Sequence, residues 1–559
     1  MFPTLKKELR DLIQYRNAYF LAFSAGTGFI CLGWDVSLLG GLLALPSFQK
    51  YFGLLSDSAS ARASLSGNIG SVLQAGGFFG ALSSGYFTSR FGRKPSMLGS
   101  AIIFLIGSII QSTIGIGMSS HVGLKVFYFS RFFAGIGIGL LSASIPTYIS
   151  ECSPRAIRGR CIGSIPVGIA IGNMLAFWVN YGVSLNISPS QMQWRVPIIV
   201  QVIPGVLFLF LMYFQPESPR WLVGCGRYEE AAAVLAYIAR KDQGDDTVVV
   251  TLREIRADFA GKRNLSLIGQ IRRMGESKII FLRCIIPSIA IVFQQWSGAI
   301  AITYYTPQIF ASLGLSSTSL TLLDTGIYGV VKFVATCFTL THIIERWGRK
   351  RTMIYGGLLQ GLMMLWVGGY AGAHPGQGIV PTTYISIVAV YFYAVAYCAG
   401  WGYTPHVLGA EVAPGHLRPL ALSLASGTDR LLTYVIAQVT PIMLDHITYG
   451  TYIIFGVVCF IMAAWVYIFL PETTGYPLED IKYLFEKDII IRSLEDAPGG
   501  WIFLGTRRAA TLHELKSISA SPTDSSEEIS KELKLQSDGE LGHGHSLGGS
   551  HKWDESIII

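Results

Sequence analysis

The amino-acid sequence predicts an all-α integral membrane protein, with twelve transmembrane helices in two pseudo-symmetric six-helix halves. Three observations carry that expectation. Of 559 residues, 51% are hydrophobic and only 14% charged, where a soluble chain carries roughly 25% charged residues. Apolar runs of the ~20 residues needed to cross a bilayer come as six, a polar interval, then six more. Three separate motifs recur between the two sets at nearly one spacing.

Residues 1–17 (MFPTLKKELRDLIQYRN) are too charged and too long for a cleavable signal peptide. They read as a cytoplasmic N-terminus, and the first apolar run stays as an anchor. The first six runs lie near 18–43, 67–87, 97–117, 126–147, 161–182 and 196–215, forming an N-terminal bundle over 18–215. The interval 216–278 contains RYEEAAAVLAYIAR, apolar at helical spacing with charges between, and predicts short amphipathic surface helices. The second six lie near 279–311, 322–344, 352–372, 382–409, 419–443 and 450–470, a C-terminal bundle over 279–470. The tail, 471–559, turns Ser-, Glu- and Gly-rich and is expected to be disordered after about residue 490. Its His543, His545 and His551 read as solvated rather than as a metal site. Eight scattered cysteines show no metal-spaced pair and no disulfide framework.

Orientation follows from the loops. Arg90, Arg93 and Lys94, then Arg155, Arg158 and Arg160, then Arg346, Arg349, Lys350 and Arg351 crowd one side; 312–321 and 373–381 contain no Lys or Arg. The positive-inside rule places both termini and 216–278 in the cytoplasm. Asn186, in Asn186-Ile187-Ser188, then lies outside as a candidate glycosylation site, with Pro189 beside it.

The repeat is specific. Arg90-Phe91-Gly92-Arg93-Lys94 recurs 256 residues on as Arg346-Trp347-Gly348-Arg349-Lys350. Glu151 precedes Arg158 as Glu411 precedes Arg418, offset by 260, and Pro216-Glu217-Ser218-Pro219-Arg220 echoes Pro471-Glu472-Thr473-Thr474-Gly475, offset by 255. Parallel repeats about an axis along the membrane normal are a transporter architecture with the solute site between them. The residues at these helix ends form a candidate cytoplasmic latch: Gly85, Arg90, Gly92, Arg93, Glu151, Arg158, Glu217 and Arg220, with Glu345, Arg346, Gly348, Arg349, Glu411, Arg418 and Glu472. Their cations can pair with the glutamates and with helix C-termini. They are expected to hold the halves together when the protein faces outward. The plainer alternative is that they only fix topology.

Charges inside the spans point to the chemistry. Asp35 lies mid-span, where a charge costs from ~2.5 kcal/mol upward, and Arg131 in span 4 is its candidate partner. Lys332 sits in span 8, and Asp429 and Arg430 sit in span 11. Arg430, with Lys332 and His406, can receive a carboxylate, whose geometry guanidinium matches. The structural alternative is Asp429 neutralising Lys332 or Arg430. No G-x-S-x-G, P-loop or metal spacing is present, so no enzyme, cofactor, metal, nucleic-acid partner or ATP-driven pump is expected.

To about residue 486 these residues resemble the sugar porter family of the major facilitator superfamily. The matching pieces are Gly33-Trp34-Asp35, Gly85 with Arg90–Lys94, Arg131 with Gly135–Gly139, Glu151 with Arg158-Gly159, PESPRWL at 216–222, Gln294-Gln295 with Gly298, Tyr304-Tyr305, and PETTG at 471–475. YGVSLNIS, QWRVPIIVQVIPG and TGIYGVVK look most like fungal permeases of the quinate and sugar-acid type. The resemblance implies alternating access in the plasma membrane, a protonation switch at Asp35 and Arg131, and solute contacts at Gln294, Gln295, Tyr304 and Tyr305. It also shows departures: Ser89, Pro166, Ile300, His406 and Asp429-Arg430 stand where the family usually has Asp, Gln, Asn, Trp and Asn-Trp. The expectation is a proton-coupled secondary transporter of a small sugar-like or organic-acid solute. The alternatives are a hexose facilitator, a metabolite exporter or a non-transporting nutrient sensor.

Overall fold

The computed structural model describes residues 13–473, apart from 56–57, 155, 261–266, 316, 344–346, 375–379 and 415–416, together with 484–485 and 493. The polar tail with its three histidines, and Glu345 and Arg346, lie outside the described residues. Within them the secondary structure is helical, as a chain in lipid requires, because each helix satisfies its own backbone groups.

Twelve long helical stretches follow one another. The first half holds α1 (Arg16–Ala44), α2 (Ala59–Phe91), α3 (Arg93–Thr113), α4 (Ser120–Cys152), α5 (Ser164–Asn186) and α6 (Gln191–Tyr213). The second holds α7 (Lys278–Ser312), α8 (Thr318–Phe338), α9 (Arg349–Ala373), α10 (Pro381–Gly409), α11 (Arg418–His446) and α12 (Tyr449–Phe469). Nine of them are both long and apolar enough to cross a membrane. The other three, α2, α9 and α11, are long enough but diluted with Gly, Ser, Thr and Gln. The reason is packing: α2 and α11 lie against each other where the halves meet, so neither needs to be apolar all round.

Within each half, packing is close. α2 lies on α4 so tightly that a Cβ on Gly135 would sit 2.0 Å from the Leu73 carbonyl oxygen, the small-residue contact that brings membrane helices together. α1 packs on α5, and α9 on α10 and α12. The halves meet along α2–α11, α5–α8 and α1–α7. Large apolar side chains such as Phe129, Ile203, Phe210, Leu362 and Ile461 stand exposed on the outside, where lipid tails are the solvent. Between the halves run short helices, Pro219–Gly224, Tyr228–Ala239, Asp246–Ala260 and Leu267–Met274, knitted by Leu222, Val223, Ala231 and Ile255.

Two helices are broken at their middles. α7 is interrupted at Ser297–Gly298, where Gly298 takes φ 90°, and loses helical geometry again at Tyr305 (φ −118°, ψ 19°). α10 breaks between Gly400 and Thr404. Each break frees backbone groups that a buried side chain must satisfy.

Candidate solute and charge site

The charged ends of the two halves follow one plan. In the first, Arg93 grips Glu151 through two bonds, Nε–Oε2 at 2.9 Å and Nη2–Oε1 at 2.7 Å. Glu217 then caps α3, accepting from the Arg93 amide at 3.0 Å and the Lys94 amide at 3.1 Å. In the second, Arg349 Nη2 meets Glu411 Oε1 at 2.9 Å, and Glu472 accepts from the amides of Arg349 (3.0 Å) and Lys350 (3.1 Å). Ser218 donates to Glu151 where Thr473 donates to Glu411. Both motif glycines adopt positive φ, Gly92 at 100° and Gly348 at 84°, a region costly for other residues. A Cβ there would lie 2.4 Å from Glu217 Oε2 or 2.5 Å from Glu472 Oε2. Desolvation raises the Glu217 carboxyl above its ordinary pKa, opposed by the amides it accepts from.

The ion pairs Arg93–Glu151 and Arg349–Glu411 each close within one half. Arg158 donates to the nearby Ser153 carbonyl at 3.4 Å. Gly85 and Arg90 lie exposed on α2, while Arg220 and Arg418 are half-buried at helix starts.

Deeper in, Asp35 on α1 and Arg131 on α4 are wholly buried and face each other, Nη2–Oδ2 at 3.2 Å and Nη1–Oδ1 at 3.4 Å. Arg131 also lies over the Phe127 ring. A buried ion pair is held this squarely only because losing either partner strands the other.

The second half carries a looser set. Arg430 and Asp429 touch at 3.5 Å with side chains 10% and 15% exposed. Although neighbours on a helix point ~100° apart, long side chains bridge the angle. Gln295 donates to the Asp429 carboxylate and, at 2.9 Å, to Thr433 Oγ1. Lys332 is not Asp429's partner. Its ammonium donates to Thr303 Oγ1 at 3.2 Å and lies 5.8 Å and 5.7 Å from the Tyr328 and Tyr397 ring centres. It has no carboxylate partner among the described residues. His406 is exposed, just beyond the α10 break.

Gln294 and Tyr305, two other expected solute contacts, hold protein partners through their donors. Gln294 gives its amide hydrogens to the Trp401 and Gly402 carbonyls, at 2.8 Å and 3.0 Å, so it repairs the α10 break. Tyr305 donates to the Ala437 carbonyl at 2.8 Å. Trp401 and Tyr403 are likewise tied to the Met353 and Pro166 carbonyls. Asn186 is exposed at the end of α5 and donates back to the Gly182 carbonyl.

Sequence reasoning passed over Gln74. It is fully buried on α2, donates to Tyr304 Oη at 2.9 Å, and accepts from Arg430 Nη1 at 3.2 Å. Its signal was a Gln in the middle of a span rich in small residues. Thr303, Tyr328 and Tyr397 around Lys332 carried no such signal, since nothing about a Thr or Tyr in a membrane helix stands out alone.

Duplicated six-helix bundles, broken central helices and buried charge pairs at the seam define a multi-pass membrane transporter of small solutes. The profile of the family "Sugar (and other) transporter" matches residues 21–485, and the chain belongs to that family. A probable quinate permease of Aspergillus fumigatus is 35% identical over 486 residues, covering 85% of this chain and 88% of that protein. The quinate permease of Neurospora africana is 34% identical, covering 84% and 89%. Among solved structures, the major facilitator superfamily proton:xylose symporter XylE, bound to 6-bromo-6-deoxy-D-glucose, matches with a TM-score of 0.71 and 28% identity. That match covers 84% of this chain and 100% of that one.

Proposed function

We propose that this chain is a proton-coupled carrier, not an enzyme, for a small hydroxylated ring bearing one carboxylate. It sits in the plasma membrane with both termini cytoplasmic. The observation that carries the reading is Lys332, a buried ammonium beside two tyrosine rings with no carboxylate to neutralise it among the described residues. A charge held this way costs several kcal/mol unless an anion completes it. Asp35 and Arg131 neutralise each other, and Asp429 offsets Arg430. Lys332 therefore leaves room for one negative charge on the solute. Arg430 and the exposed His406 add donors, and the tyrosines offer ring faces and hydroxyls to a polyhydroxylated ring. Likeness to quinate permeases supports an acid, and likeness to a proton:xylose symporter supports coupling.

Asp35 is the proton carrier in this reading. Protonated, it no longer holds Arg131, and the first half is free to rearrange. The solute and the proton then cross together by alternating access of the two bundles. Uptake of radiolabelled quinate, galacturonate and glucose into transporter-deficient yeast, with and without a protonophore, tests it. Saturable, protonophore-sensitive uptake of an acid is expected. Saturable glucose uptake indifferent to the protonophore would sink the reading and favour a hexose facilitator.

A further inference from the structure

The proton pair lies in the first half and the solute cations in the second, and Gln74 reaches from the first half to bond two side chains of the second. Gln74, on α2 of the first half, is the residue through which Arg430 of α11 and Tyr304 of α7 are bonded together. Both ends of its carboxamide are used, and it is fully buried. Tyr304 lies beside the Tyr305 break in α7, and its backbone carbonyl presses on α1: a Cβ added to Gly40 would sit 2.8 Å from that oxygen. Gly40 is little more than one turn along α1 from Asp35.

We infer that Gln74 is a positioning residue that links occupancy of the solute site by a carboxylate to the α1–α7 contact beside Asp35. The inference rests on the acid-carrier reading above. Its logic is competition for Arg430. Among the described residues the guanidinium has one loose ion pair, at 3.5 Å, and a buried Nε with no acceptor. A solute carboxylate is a stronger acceptor than a neutral amide oxygen, so it takes the Nη1 donor from Gln74. A buried amide oxygen left without a donor is unfavourable, and Gln74 turns to find another, loosening its hold on Tyr304. The bridge is thus made in the empty site and broken in the loaded one, the differential contact that coupling requires.

The test compares two assays on the full-length protein in vesicles. Exchange of labelled for unlabelled quinate needs only solute binding and the swing of the halves. Accumulation against a gradient also needs the proton. Gln74→Leu, close in shape and unable to bridge, is expected to lose accumulation by at least about tenfold more than it loses exchange. Tyr304→Phe removes one hydroxyl from the same bridge and should show the same split, and it serves if Gln74→Leu fails to reach the membrane. Gln74→Glu places a rival carboxylate beside Arg430 and should raise the KM for the acid. Accumulation and exchange falling together, or neither falling, in both bridge variants would overturn the inference. Wild-type protein separates the two readings. If it concentrates quinate and the variants do so equally, only the Gln74 link fails; if wild type never concentrates an acid, the carrier reading falls with it.

Discussion

The two halves agree at their charged ends and differ at their middles. At the ends, Arg93–Glu151 and Arg349–Glu411, with Glu217 and Glu472 as caps, repeat the same bonds. At the middles, the first half seals one ion pair away from solvent, while the second spreads three charges over a partly exposed site, one ammonium having no carboxylate among the described residues. A duplicated scaffold has kept the parts that terminate helices and divided the labour of the parts that face the seam. In the proposed mechanism the first half handles the proton and the second the solute.

The largest expected effect comes from the sealed pair. Asp35→Asn strands Arg131 without a counter-ion, at about 3–5 kcal/mol, and should abolish concentrative uptake while lowering the detergent melting temperature. Accumulation surviving in Asp35→Asn would erase the distinction between the halves. Next comes the Lys332 ammonium. Lys332→Met, similar in length and uncharged, should raise the KM for an acid by roughly tenfold or more and cost no stability. An acid KM that stays put would mean Lys332 is packing rather than recognition.

The ends should show smaller and equal effects. Arg93→Ala and Arg349→Ala each remove a charged hydrogen-bonding partner worth about 1–3 kcal/mol, and thermal unfolding should put them level; a clear inequality would show the repeat to be symmetric in outline only. Glu217 adds a pH signature. Its folded pKa is raised, so the folded state binds that proton more tightly than the unfolded chain does. Its contribution is most favourable below the unfolded pKa and declines as pH rises through the folded one. Glu217→Gln should flatten that part of the melting-temperature profile. Smallest of all, Arg227→Ala breaks an exposed pair with Glu230 on the linker, and transport and melting should not move.

Much of the fold was legible because its signals are collective: a run of apolar residues, a motif written twice, basic loops on one side. Asp35 and Arg131 were legible as well, since charge in a membrane span announces itself. What stayed hidden was pairing. Nothing in the spacing of Arg93, Glu151 and Glu217 says whether they close within a half or across halves; that depends on which helix ends meet. Gln294 was expected as a solute ligand because the family resemblance implies one there, and the α10 break takes its amide hydrogens. Gln74 lies in α2, whose low hydropathy hinted at a buried polar seam without naming the residue.

The caps at the charged ends bear on how the protein is made. Glu217 closes on the start of α3 across 124 residues, and Glu472 closes on the start of α9 across 123. In each half the carboxylate is synthesised after all six helices. The last side chain of each bundle to be synthesised therefore sets its first helical turn after the α2 or α8 loop. Biogenesis can then proceed in two instalments, with the first bundle fastened before the second has begun to enter the bilayer.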